Sequence, residues 1–106
     1  MKIDRELKKT LRIVVSRTVC GEWSHDSAAT PLSHLHKLRQ LGLVELHPRE
    51  QHGLVFYATP LAYKQEALLV DQMLANERAR INNNVRPGPS RTAQLLRLDE
   101  IEESAR

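Results

Sequence analysis

The chain is poor in cysteine and has no long apolar run. Cys20 stands alone among 106 residues, which excludes an intrachain disulfide framework and suits a reducing compartment. No stretch approaches the roughly eighteen apolar residues of a membrane-spanning helix. Met1-Lys2-Ile3-Asp4-Arg5 is charged and has no apolar signal core, so the expectation is a cytoplasmic chain, neither exported nor cleaved. No glycine-rich nucleotide loop is present, and no serine or cysteine sits in a nucleophile motif. Acidic pairs such as Asp99-Glu100 fall close to the C-terminal end. These gaps leave no catalytic residue to name and no cofactor to expect. Internal repeats and low-complexity tracts are missing as well.

What remains is an ordinary globular composition, 41% hydrophobic and 27% charged, at a length that suits one domain. The net charge is +3, and its placement says more than its size. Residues 1–53 carry nine basic and six acidic side chains, whereas residues 54–106 carry seven of each. All five histidines (His25, His34, His36, His47 and His52) fall within the first 52 residues. The positive field therefore belongs to the first half.

Hydrophobic spacing sets the element order. Ile3, Leu7, Leu11, Val14 and Val15 recur at helical steps behind Asp4, a candidate N-cap. Gly21 closes that helix. Trp23, the only tryptophan, reads as a core plug in the connector, and Cys20 as a small buried residue. Thr30-Pro31 then gives an N-cap followed by proline at the first helical position. Leu32, Leu35, Leu38 and Leu41 follow, with Gly42 and Leu43 as a C-terminal stop. The spacing predicts a helix over 31–41. Leu35 and Leu38 centre its buried arc, and Ser33, His36, Lys37 and Gln40 share the opposite one, with Arg39 outside it.

After Gly42 the period becomes alternating, with Val44 and Leu46 against Glu45 and His47. A polar turn from Pro48 to Gly53 leads to Leu54-Val55-Phe56-Tyr57-Ala58, so residues 44–58 form a β-hairpin. Thr59-Pro60 opens a long helix from about Leu61 to Asn82. Its apolar residues cover more than one stripe, which points to a second subunit. Arg86 to Arg91 reads as a linker, and Thr92 to Arg106 as a marginal, acid-ended helix. The division is thus residues 1–85 as the domain with its long helix and 86–106 as a linker and short acidic segment.

The residues from Thr30 to Val44 resemble the recognition helix and its exit in the MarR, ArsR and PadR types of bacterial repressor. His34-Leu35, Leu38 and Gly42-Leu43-Val44 keep those families' spacing, and Tyr57-Ala58-Thr59-Pro60-Leu61 looks like their strand-to-helix step. The resemblance covers residues 4 to 75. It implies a fold that is mainly α with a β-hairpin (α+β), a winged helix-turn-helix. The ten residues from Cys20 to Ala29 leave room for a second helix of only one or two turns, within Ser24 to Ala29.

The expected partner is double-stranded DNA, and the expected role is that of a sequence-specific transcriptional regulator. Ser33, His36, Lys37 and Gln40 are the candidates for base contacts, because short polar and cationic side chains read base edges in the major groove. Arg49 and His52, at the hairpin tip, are the candidates for backbone or minor-groove contact, with Lys8, Lys9 and Arg12 as further phosphate contacts. A homodimer is expected through Leu69, Met73, Leu95, Leu98 and Ile101. The alternative is a protein-interaction module of the same fold, such as a small accessory or phage-type inhibitor of a host complex. No metal site is expected. His34 and His36 point about 200° apart on a helix, and the paired cysteines of metal-sensing ArsR types are missing.

Overall fold

A computed structural model describes residues 3–106. The fold is α+β, with five helices and one antiparallel hairpin among the described residues. None of these helices is long and apolar enough to cross a membrane. Helix α1, Arg5–Val19, begins where expected: the Asp4 carboxylate accepts the Leu7 N–H at 2.8 Å. Leu7, Leu11, Val14 and Val15 are buried along one face.

Helices α1 and α2 (Leu32–Gln40) end in the same way. Gly21 and Gly42 adopt φ of +82° and +78°, in the left-handed region where a Cβ is penalised. At the second end the Leu43 N–H donates to the Leu38 carbonyl at 2.9 Å, and the Gly42 N–H to that of Arg39 at 3.0 Å. The Glu22 and Gly21 N–H groups repeat the pattern on Arg17 and Thr18. Both pairs satisfy carbonyls that a helix end otherwise leaves open. Leu43 is buried, as is Leu38 before it.

Between these helices the expected short helix does not form. Residues 24–30 contain a bridge and bends. The Thr30 hydroxyl donates to the His25 carbonyl at 2.7 Å, and the Thr30 N–H donates to the Ser27 hydroxyl at 3.2 Å. Side chains that bond nearby backbone compete with the helix ladder, and here they take its place. Thr30 is therefore not the cap of α2. That helix starts one residue later, and the Asp26 carboxylate accepts the Leu32 N–H from six residues away, at 3.0 Å.

Strands β1 (Val44–Arg49) and β2 (Gly53–Ala58) pair in the register Val44 with Ala58 through Arg49 with Gly53. Pro48 is tolerated because β1 has an unpaired outer edge. The connector returns to the other side of β2, where Ser24 and Phe56 exchange both backbone hydrogen bonds, at 3.0 and 2.8 Å.

The long helix expected after Thr59-Pro60 is two. Helix α3, Pro60–Gln65, is capped by the Thr59 hydroxyl, and α4, Ala67–Asn84, follows a break at Glu66. The break lies where the Glu66 carboxylate meets Arg12 of α1 at 3.9 Å, a contact remote in sequence and invisible to helical periodicity. The linker is also shorter than its composition implies, since Pro89 already opens α5, Pro89–Ser104. Helix α5 lies against α4 and adds Leu98 and Ile101 to the same core as Leu11, Leu35, Phe56 and Leu74. Arg78 of α4 holds it from outside, 2.8 Å from Asp99 and 3.3 Å from Glu102. Arg97 reaches α1 and donates to the Val19 and Thr18 carbonyls at 2.7 and 3.3 Å.

Candidate functional site

The outward face of α2 is the sequence-predicted site, and its four residues share one exposed face. Ser33, His36, Lys37 and Gln40 are exposed, while Leu35 and Leu38 beneath them are fully buried. Burial of those two leucines fixes the roll of the helix and so aims the polar face outward. His36 is the least free of the four, because its ring stands edge-on to Phe56 of β2 at 5.9 Å. His34 lies at the core edge, where its Nδ1 and the Thr10 hydroxyl are 2.9 Å apart.

Arg49 and His52 do come together at the hairpin tip, through a residue that sequence reasoning placed elsewhere. Trp23 is not a core plug. It is half-exposed and lies against the tip. The Arg49 guanidinium sits 4.7 Å from the centre of its ring, and the His52 ring lies 4.8 Å away at a 42° tilt. A guanidinium over an indole is held by the ring quadrupole and loses rotamer freedom before any ligand arrives. The Ser24–Phe56 bridge places Trp23 here, since it fixes the next residue along the chain to β2. A lone Ser–Phe backbone pairing leaves no periodic signal in the sequence.

The charge around this surface is free. Among the described residues, Lys37, Arg39 and Arg49 make no ion pair, nor do Lys8 and Lys9 on α1. Arg12 has only the 3.9 Å approach to Glu66 and is itself more than half exposed. Helix α5, which could have lain over α2, packs on α3 and α4 and reaches the end of α1 through Arg97, and the polar face of α2 stays exposed.

The proposed dimer residues separate. Leu69, Met73 and Leu95 are half-buried at the core's edge. Leu98 and Ile101 are enclosed within their own chain and offer a second copy no surface, because α5 is an integral layer and not a tail. The five histidines do not converge, and no group of three or more metal-ligating side chains occurs among the described residues. His47 is occupied with Glu45 at 3.1 Å and with the edge of Tyr57.

Cys20 is half-buried rather than sealed. Burial, then the neighbouring Glu77 carboxylate, push its thiol above the ordinary value. It is thus the opposite of an activated thiolate. Glu77 is 7% exposed and takes two hydrogen bonds of 3.0 Å from Arg80. That pairing holds its carboxyl below the ordinary range against the opposing effect of burial.

No protein-family model matches the chain, nor does any curated protein or solved structure.

Proposed function

We propose that the chain is a winged helix-turn-helix regulator of transcription, acting as a repressor. In this reading α2 enters the major groove and the hairpin is the wing. The observation that carries it is the uncovered face of Ser33, His36, Lys37 and Gln40, in which Lys37 has no ion pair among the described residues, as is true of Arg39 on the same helix and Arg49 at the hairpin tip. A helix of nine residues fits the major groove, where Gln pairs with adenine and Lys with guanine. Arg49, held against Trp23, meets phosphates or the minor groove and sets register without reading sequence. The helix that usually braces a recognition helix against the DNA backbone is replaced here by the hydrogen-bonded connector. Its Asp26 cap and its Ser24 pairing hold α2 and the hairpin in one frame.

The deciding experiment is a gel shift with the DNA upstream of the protein's own gene, run at several salt concentrations. Phosphate contacts release counterions, so log affinity must fall linearly with log salt. A parent protein with no salt-dependent binding to that or any other duplex ends the regulator reading. The interaction module would then take its place.

A further inference from the structure

At the C-terminal end of α1 a cavity of about 360 Å³ opens between that helix and the connector. It is lined by Arg17, Gly21, Glu22, Trp23 and His25, none of which is among the candidate DNA contacts. Its volume suits a small ligand, at the lower end of the range such sites occupy. Two restrained stretches of backbone build it. The cap of α1 ties Glu22 to Arg17, with the Glu22 N–H donating to the Arg17 carbonyl at 2.8 Å. On the other side Ser24 exchanges both backbone hydrogen bonds with Phe56. Side chains alternate along an extended segment, so the buried Ser24 leaves its neighbours Trp23 and His25 on the outer side.

The charges give the cavity its character. Arg17 and Glu22 are of opposite sign and line the same small space. Among the described residues neither makes an ion pair, with the other or with any third group. A purely anionic ligand is drawn to Arg17 and repelled by Glu22, and a purely cationic one meets the reverse. A molecule that bears both charges satisfies both. The end of α1 adds to this, because the helix dipole favours a positive group there. Trp23 supplies the apolar wall. It also joins the cavity to the hairpin, since its ring carries Arg49 at 4.7 Å and His52 at 4.8 Å. A molecule lodged against Trp23 therefore acts on the residue that holds the hairpin tip.

We propose that this cavity binds a free α-amino acid with an apolar side chain, its carboxylate on Arg17, its ammonium on Glu22 and its side chain against Trp23. The binding itself does not depend on DNA, whereas its role as an effector acting through the hairpin tip rests on the regulator reading.

The test is a titration of the full chain with L-phenylalanine, without DNA, read by fluorescence. Trp23 is the only tryptophan, so the emission reports on one wall of the cavity. A saturable change is expected, with a dissociation constant on the order of 0.1 mM. Phenethylamine lacks the carboxylate and hydrocinnamate lacks the ammonium, and each should bind at least about tenfold more weakly. Arg17→Gln should weaken L-phenylalanine by at least about tenfold and leave phenethylamine unchanged. Glu22→Gln should weaken it as much and leave hydrocinnamate unimpaired. Both variants should melt as the parent does, since neither side chain makes an ion pair in the fold. The proposal is overturned by the lack of any saturable signal up to about 10 mM in fluorescence and calorimetry. Equal binding of the three compounds overturns it too, as do variants that bind L-phenylalanine like the parent. Adding L-phenylalanine to the gel shift separates the two readings. A protein that binds the amino acid but no DNA ends the regulator reading and keeps the site. DNA binding that is unchanged at saturating amino acid overturns the effector role.

Discussion

The two halves of the chain treat positive charge in opposite ways. In the C-terminal half five of the seven cations are tied down. Arg78 grips Asp99 and Glu102, Arg80 grips Glu77, Arg91 bonds Asn82, Arg97 bonds two carbonyls and Arg106 lies by Glu102. In the N-terminal half Lys8, Lys9, Lys37, Arg39 and Arg49 have no carboxylate partner among the described residues. Charge that is paired internally serves the fold, and charge left free at the surface is available to a ligand. The lesson lies in distribution: a net charge of +3 is unremarkable, yet the cations without a carboxylate partner include Lys37 and Arg39 on α2 and Arg49 at the hairpin tip.

The sharpest way to break this contrast is to attack the C-terminal half where it is structural. Leu98→Ala removes a fully buried side chain and should destabilise the protein by about 2–5 kcal/mol, read as a drop in melting temperature. If α5 were a dispensable tail, melting would not move. Next in size are substitutions on the free face. Lys37→Ala and Gln40→Ala should each weaken binding to the preferred sequence by about 1–3 kcal/mol and relax specificity there. Melting should stay at the parent value, since both side chains are exposed. Variants that bind as the parent does would remove those residues from the interface.

A finer test compares Arg49 with the ring beneath it. Arg49→Ala should weaken all sequences alike and lower the salt slope by about one. Trp23→Leu keeps the charge but frees the guanidinium, so it should weaken binding by about 1 kcal/mol or less with the slope unchanged. Equal slopes in parent and Arg49→Ala would mean that this guanidinium touches no phosphate. The smallest effect belongs to Glu77. Arg80 holds its carboxyl below the ordinary range in the folded protein, so its contribution is present above the unfolded carboxyl value and is lost as pH falls through that range toward the folded value. Between about pH 6 and about pH 3, Glu77→Gln should therefore lose less melting temperature than the parent does. Parallel curves would show that the pair contributes nothing.

The elements that local chemistry dictates were legible in the sequence. Asp4 caps α1, Gly42 stops α2, Thr59-Pro60 starts α3, and the alternation from Val44 marks a strand. The polar face of α2 was legible for the same reason, since the roll of a helix follows from its leucines. What escaped depends on partners distant in sequence. Trp23 belongs to the hairpin because its neighbour Ser24 pairs with Phe56. The helix break at Glu66 lies by Arg12. The last segment read as a marginal, acid-ended helix with no partner named, and two of its acids, Asp99 and Glu102, are the partners of Arg78. The missing short helix is an intermediate case. Asp26, Ser27 and Thr30 are residue types that divert backbone hydrogen bonds to side chains, and here they use that capacity to hold the connector instead of forming a turn of helix.

The hydrogen bond from Arg97 to the Val19 carbonyl joins residues 78 positions apart. It sets an order of events during synthesis. As the chain emerges from its N-terminus, α1, α2 and the hairpin can gather early through short loops. The end of α1 and the pocket for Leu98 must wait for almost the whole chain, and closing so long a loop is the slow, entropically expensive step. The nascent protein thus carries its free cationic face before it carries a closed core. A chain cut at Arg86 would keep every residue of the proposed DNA surface and lose the helix that completes the fold.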